Sequence, residues 1–233
     1  MGNTHVSGLR KALAGVVVAA VIALGGVGVA AAPANAATVA GIAPIPTIGG
    51  AAIVGRTLTV KPGSWGAGVK LGYQWFFGNG DKVPSAATKT LVVRPGQVGR
   101  VLHVVVTGTW KNGSKVSVRS AATGTVQKAT LTASIPTLTS EGVTSLGVFE
   151  GSWSPVPRFS YQWYRVCPGL APAAIVRATA SSYTVGKADN GCRIQAQVTG
   201  SLDGYNSRST MSAASLAVRE DGTDWYIVYP DYF

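Results

Sequence analysis

The sequence predicts an all-β protein built from two tandem β-sandwich domains that follow a cleaved signal peptide. Three observations carry this. A Tyr-Gln-Trp stretch occurs twice, as Tyr73-Gln74-Trp75 and Tyr161-Gln162-Trp163. Each copy follows a Gly-Ser-Trp, Gly63-Ser64-Trp65 and Gly151-Ser152-Trp153. Around both, apolar and polar residues alternate with the period of a half-buried strand. Tyr and Trp two residues apart on a strand share one face. Their rings supply much of the apolar area a small sandwich needs.

Composition agrees. Of 233 residues, 46% are hydrophobic and only 12% charged, which excludes a disordered, highly charged chain. Thirty glycines suit many short strands joined by tight turns.

The N-terminal stretch is set aside before the fold is considered. Arg10-Lys11 precede an apolar run from Ala12 to Ala32, and Ala34-Asn35-Ala36 is a small-x-small site. This reads as a secretory signal over residues 1–36, cleaved after Ala36. The competing reading is an uncleaved anchor, because the run is long enough to span a bilayer. Residues 37–44 form a linker. After cleavage no second apolar run exists, so no membrane association is expected.

Further matches between the halves define the domains. Pro46-Thr47-Ile48 aligns with Pro136-Thr137-Leu138, Val106-Thr107-Gly108 with Val198-Thr199-Gly200, and Ser120-Ala121-Ala122 with Ser212-Ala213-Ala214. The offset is about ninety residues, the size of one immunoglobulin-type domain. The first domain spans residues 45–126 and the second 127–219. In order, strands are expected at Thr57–Lys61, Lys70–Phe77, Thr90–Val93 and Val101–Thr107. Trp110-Lys111-Asn112-Gly113 is a hairpin tip, and Val116 returns along an edge. In the second domain strands are expected at Thr144–Phe149, Arg158–Val166, Ser182–Val185 and Cys192–Thr199, with a last strand ending near Val218. No mature stretch has a sustained helical period.

Cys167 and Cys192 are the only cysteines. An even count in a secreted chain favours a disulfide. Cys167 ends the second Tyr-x-Trp strand and Cys192 opens its expected neighbour. The bridge would pin one end of that strand pair and contribute about 3 kcal/mol.

The order Pro-x-Ile, Val54-Gly55-Arg56-Thr57-Leu58-Thr59, Gly63-Ser64-Trp65, Tyr73-Gln74-Trp75, Asp189-Asn190-Gly191, Val198-Thr199-Gly200, Gly204-Tyr205 resembles tandem Ig-like repeats of secreted and surface proteins of Gram-positive actinobacteria. The resemblance covers nearly all of residues 45–218. It implies two Ig-like sandwiches and an accessory or adhesive role, with no catalytic residues. The first copy departs from the pattern: Gln97-Val98-Gly99 replaces Asp-x-Gly, and Asn112-Gly113-Ser114 lacks the Tyr.

Enzyme chemistry finds little to work with. His103 is the sole mature histidine. Its parity is opposite to Leu102 and Val104, so an outward, partly exposed side chain is expected. Asp81, Glu141, Glu150, Asp189 and Asp203 all fall in turns or at strand ends, unpaired in sequence. Asp189-Asn190-Gly191 has too few acids for a calcium cage. No metal, cofactor or catalytic residue is expected.

Binding is the better prospect. The formal charge is +11; without Arg10 and Lys11 it is +9. The body from residue 37 to 219 carries +13, and Glu220, Asp221, Asp224 and Asp231 sit in the last fourteen residues. Such a body attracts anionic cell-wall polymers, with no sign of specific nucleic-acid recognition. Trp110, Lys111 and Lys115 form a candidate sugar- or polyanion-binding loop. The bland alternative folds Trp110 back on its own hairpin. The acidic, aromatic tail, residues 220–233, offers Trp225, Tyr226, Tyr229, Tyr232 and Phe233. It could add a strand to the body, serve as a peptide for a protein partner, or stay disordered. The expected function is a secreted, non-enzymatic Ig-like protein in surface attachment, scaffolding or protein interaction. The alternative is a wall-polymer or polysaccharide-binding module.

Overall fold

The computed structural model describes residues 43–142 and 144–220, and the backbone of 225–227. The segment expected as a signal peptide and most of the expected linker lie outside them. The described chain is all-β, with strands that are mostly antiparallel and two 3-10 turns, Pro95–Gln97 and Lys187–Asp189.

In the first half, β1 (Thr47–Gly49), β2 (Thr57–Lys61) and β4 (Thr90–Val92) form one sheet in the order β1-β2-β4. β3 (Lys70–Phe77), β5 (Leu102–Thr109) and β6 (Lys115–Arg119) form another in the order β3-β5-β6. Leu58 and Val60 from the first meet Trp75, Leu102, Val104 and Val106 from the second in one core. The period-two alternation of β5 is what sends Leu102, Val104 and Val106 inward together.

Four short strands follow: β7 (Ala129–Thr130), β8 (Thr132–Ala133), β9 (Thr137–Ser140) and β10 (Ser145–Phe149). Then come β11 (Trp153–Ser154), β12 (Arg158–Val166), β13 (Ala173–Ala174) and β14 (Ser182–Thr184). β15 (Arg193–Ser201), β16 (Tyr205–Asn206), β17 (Arg208–Met211) and β18 (Val218–Glu220) follow, and β19 (Trp225–Ile227) is the last described strand. The larger sheets run β14-β10-β9 and β13-β12-β15-β17. A second core gathers Leu146, Trp163, Ile194, Ala196, Val198 and Val218. β7 pairs in parallel with β16, and Tyr205 packs against both cores.

The recurring motifs have physical reasons. Trp75 and Trp163 are fully buried, and each indole N–H finds a carbonyl: Trp75 Nε1 donates to Thr88 at 3.0 Å and Trp163 Nε1 to Ala180 at 2.9 Å. The glutamines between Tyr and Trp are equally structural. Gln162 Nε2 donates to the Ile175 carbonyl at 2.8 Å, and Gln74 Nε2 to those of Val83 and Ala86, both at 3.3 Å. Each amide thus ties its strand to the connection passing its edge.

Gly-Ser-Trp and Val-Thr-Gly belong together. The Trp65 ring lies over Gly108, and Trp153 over Gly200, where a Cβ would stand 2.5 Å from Trp153 Cζ3. Only a glycine leaves room for the ring. Gly200→Ala should therefore destabilise the second half by about 1–3 kcal/mol through overpacking. Urea unfolding measures this, and a loss within error of zero would show that Trp153 moves aside freely.

Ser120 and Ser212 are buried and identical in their bonding. Each hydroxyl accepts a strand N–H, from Val104 or Ala196 at 3.0 Å, and donates 2.7 Å to the next carbonyl. Cys167 and Cys192 form a disulfide beyond the paired ends Val166 and Arg193, as expected from the strand register.

Candidate functional site

The hairpin of β5 and β6 sets the geometry of the loop that the sequence singled out. Trp110 N donates to Ser114 O and Gly113 N to Trp110 O, both at 3.0 Å, closing a tip with Gly113 at φ +83°. Register then fixes what lies beside it. Lys70 of β3 is opposite Thr109 of β5, and Thr109 is opposite Lys115 of β6. Core-facing Val104 and Val106 have the other parity, so all three residues stand on the outer face. Neighbouring strands are about 4.8 Å apart, which puts the Lys70 and Lys115 backbones roughly 10 Å from each other. Lys111 reaches back over the 66–68 turn, with its Cε 3.4 Å from where a Cβ on Gly68 would be. Lys70, Lys111 and Lys115 are exposed. Among the described residues the one ion pair is Arg165–Asp189, so none of the three lysines is neutralised there.

Trp110 serves this cluster from the side. It is half-buried and packs on Trp65 with ring centroids 6.2 Å apart. The ring buttresses the hairpin and leaves only part of its surface for a ligand. Lys70 escaped sequence reasoning because it is forty residues from the loop in sequence and joins it only through strand register.

The same face continues away from the lysines. Thr107 and Ser117 share a hydroxyl hydrogen bond of 2.7 Å. Beyond them Arg119 Nη2 lies 3.4 Å from His103 Nδ1, and Phe76 stacks on the imidazole at 5.4 Å and 11°. His103 has the outward parity expected of it, but it is only 3% exposed, so the expectation of a partly exposed ring is corrected. Neighbouring side chains roof it. Burial, and then the Arg119 charge, hold its pKa below the usual histidine value.

Asp189 lies in a turn, Lys187–Asp189, as expected from the sequence. It is 1% exposed and fully engaged. Oδ1 accepts Arg165 Nε and Nη2, both at 2.7 Å. Oδ2 accepts the Tyr183 hydroxyl and the Gly186 N–H, both at 2.8 Å. Among the described residues no three His, Cys, Asp or Glu side chains gather as a metal site would require.

Two tyrosines are bound to acids. Tyr183 donates to Asp189, and Tyr161 to Glu150. Burial, reinforced by these carboxylates, pushes both phenols up to about 12. A folded pKa above the unfolded value of about 10 means that the folded state holds its proton longer. That stabilisation is complete below pH 10 and fades as pH climbs through 12. Absorbance titration should show two phenols ionising last. Their ionisation near pH 10 in the folded protein would contradict the bonding described.

The tail enters the structure as backbone only. β19 pairs antiparallel with β18, Val218 opposite Ile227 and Glu220 opposite Trp225. β18 in turn is held beside the disulfide, because Val218 N donates to Cys192 O and Gly191 N to Val218 O. Trp225 and Tyr226 therefore lie in an added strand, while Tyr229, Tyr232 and Phe233 fall outside the described residues. The strand joins a partner next to it in sequence, not a distant sheet edge.

No protein-family model matches the chain, and no curated protein matches it either. Among the described residues no helix is long and apolar enough to cross a membrane. The disulfide points to an oxidising, extracellular setting.

Proposed function

We propose that the chain is a secreted, non-enzymatic attachment protein of two tandem Ig-like sandwiches that holds anionic cell-wall polymer on its lysine-bearing face. The observation that carries this reading is that Lys70 and Lys115 flank Thr109 on the outer face, with Lys111 over the adjacent 66–68 turn, on a body of charge +13. Three exposed cations at one end of the β3-β5-β6 sheet suit a chain of repeated phosphates or carboxylates better than one compact ligand. The sandwich reading is supported by two separate cores, each ringed by the same Trp, Gln, Gly and Ser contacts.

Sedimentation with purified cell wall tests it. The protein should pellet with wall at low salt and be released as salt rises, because exposed charges are screened. Combined Lys70→Gln, Lys111→Gln and Lys115→Gln should weaken retention ~10-fold, a larger loss than three Gln substitutions elsewhere on the body. Equal loss from any three lysines would reduce the face to general positive charge.

A second reading, binding of a protein partner through the tail, is favoured by β19. Among the described residues nothing but β18 pairs with β19, and its far edge suits the addition of another strand. Truncation after Arg219 should leave both cores folded and remove the partner. A truncated chain that keeps every partner found with the whole protein eliminates this reading.

A further inference from the structure

We propose that the cleft where the two halves meet is a binding site for a small acidic sugar, one anionic group held between Arg56 and Lys128. Its volume is about 410 Å³, within the range of small-molecule pockets. Its walls come from three places. Ile53 and Arg56 belong to the turn before β2, Lys128 and Thr130 to the chain joining the halves, and Pro155 and Tyr205 to the second half.

The chemistry is asymmetric. Arg56 and Lys128 supply two cations, and no acid lines the cleft among the described residues. Neither cation is ion-paired with a described residue. Ile53 and Pro155 give apolar walls, which concentrate the field of both charges inside the concavity. Arg56 offers a planar fork suited to a carboxylate or phosphate, and Lys128 a mobile point charge. Tyr205 and Thr130 add hydroxyls able to bond sugar hydroxyls.

Tyr205 is also fixed in place. Its backbone pairs with Ala129, and its ring packs against both cores. Gly55, at φ +80°, lets its hydroxyl approach, since a Cβ there would be 3.2 Å from that oxygen. A polar tip carried on a rigid aromatic is a positioned hydrogen-bonding group, not a mobile surface chain.

This cleft is separate from the lysine face, so it stands or falls independently of polymer retention. Calorimetric titration of the mature, full-length protein uses three probes: glucuronic acid, glycerol 1-phosphate and neutral methyl glucoside. Saturable binding of either anionic probe and none of the neutral one is expected. Glucuronate alone identifies a carboxylate ligand, glycerol phosphate alone a phosphate; both together mean that charge outweighs geometry, and each supports the site. Combined Arg56→Gln and Lys128→Gln should weaken binding ~10-fold or more, as loss of charge-assisted hydrogen bonds does. Both residues are exposed, so the melting temperature should hold. Tyr205→Phe keeps the ring and should weaken binding less. Replacing Lys70, Lys111 and Lys115 by Gln should leave it unchanged. Absence of saturable binding by both anionic probes overturns the proposal, as does full affinity in the Arg56/Lys128 double variant.

Discussion

Replacing Trp163 by alanine should cost the second half about 3–5 kcal/mol, the range for deleting a large buried aromatic. Trp163 is fully buried at the centre of β12. Its ring stacks on Tyr183 at 5.6 Å, and it stands opposite Ala196, whose small side chain leaves the ring its space. Truncation would open a cavity that its neighbours, held in a bonded sheet, cannot collapse to fill. It would also strand the Ala180 carbonyl, which accepts from the indole. Trp163→Phe should lose less, because it keeps most of the ring while forfeiting that bond. Trp75→Ala should do the same to the first core. If the halves are independent sandwiches, urea unfolding monitored by fluorescence should show each variant moving a different transition. Shared packing of Tyr205 on both cores sets the residual coupling. A loss below about 1 kcal/mol from Trp163→Ala would mean that the ring is not the packing centre described.

The long strands were legible because alternation needs several residues to show itself. Thr57–Lys61, Lys70–Phe77 and Arg158–Val166 have the expected bounds, and β5 and β15 differ by a residue or two at their ends. β7, β8, β11, β13 and β16 are two residues each, too short for any period, and went unanticipated. Their pairing is set by where the longer strands leave the chain. Motif recurrence was visible, yet its cause was not. Nothing in Gly-Ser-Trp and Val-Thr-Gly read separately says that one ring rests on the other's glycine. Parity placed His103 on the correct face, but a parity rule knows nothing of Phe76 and Arg119 covering it. The candidate lysine site was half legible: Lys111 and Lys115 are neighbours in sequence, whereas Lys70 needs the register of β3 on β5. The cleft of Arg56 and Lys128 depends on how the two halves meet, which neither copy of the motif specifies.

Asp189→Ala should cost about 3 kcal/mol, the low end for breaking a buried ion pair, since Arg165 keeps a quarter of its side chain exposed. Three donors lose their acceptor at once: the Arg165 guanidinium, the Tyr183 hydroxyl and the Gly186 N–H. The first half shows which of these the fold itself needs. There Gln97 holds the equivalent place, and its Oε1 accepts the Arg94 N–H at 2.9 Å as Asp189 accepts that of Gly186. A neutral acceptor is thus enough to close the 3-10 turn. The first half has no counterpart of the Arg165 pair: Arg100 lies instead over the Phe77 ring at 3.8 Å. The carboxylate is therefore required by Arg165 and Tyr183 rather than by the turn. Asp189→Gln should recover the turn bond and lose less than alanine. Combining Asp189→Ala with Arg165→Met removes both charges, so it should lose less than the two single effects added together. The Cys167–Cys192 bridge begins three residues later and holds the same strand ends, so all variants are compared oxidised. A double variant as damaged as the sum of its singles would show that the charges do not act as a pair. An alanine variant within 1 kcal/mol of the parent would mean that water replaces the carboxylate, and that the network only decorates a turn already fixed by its backbone.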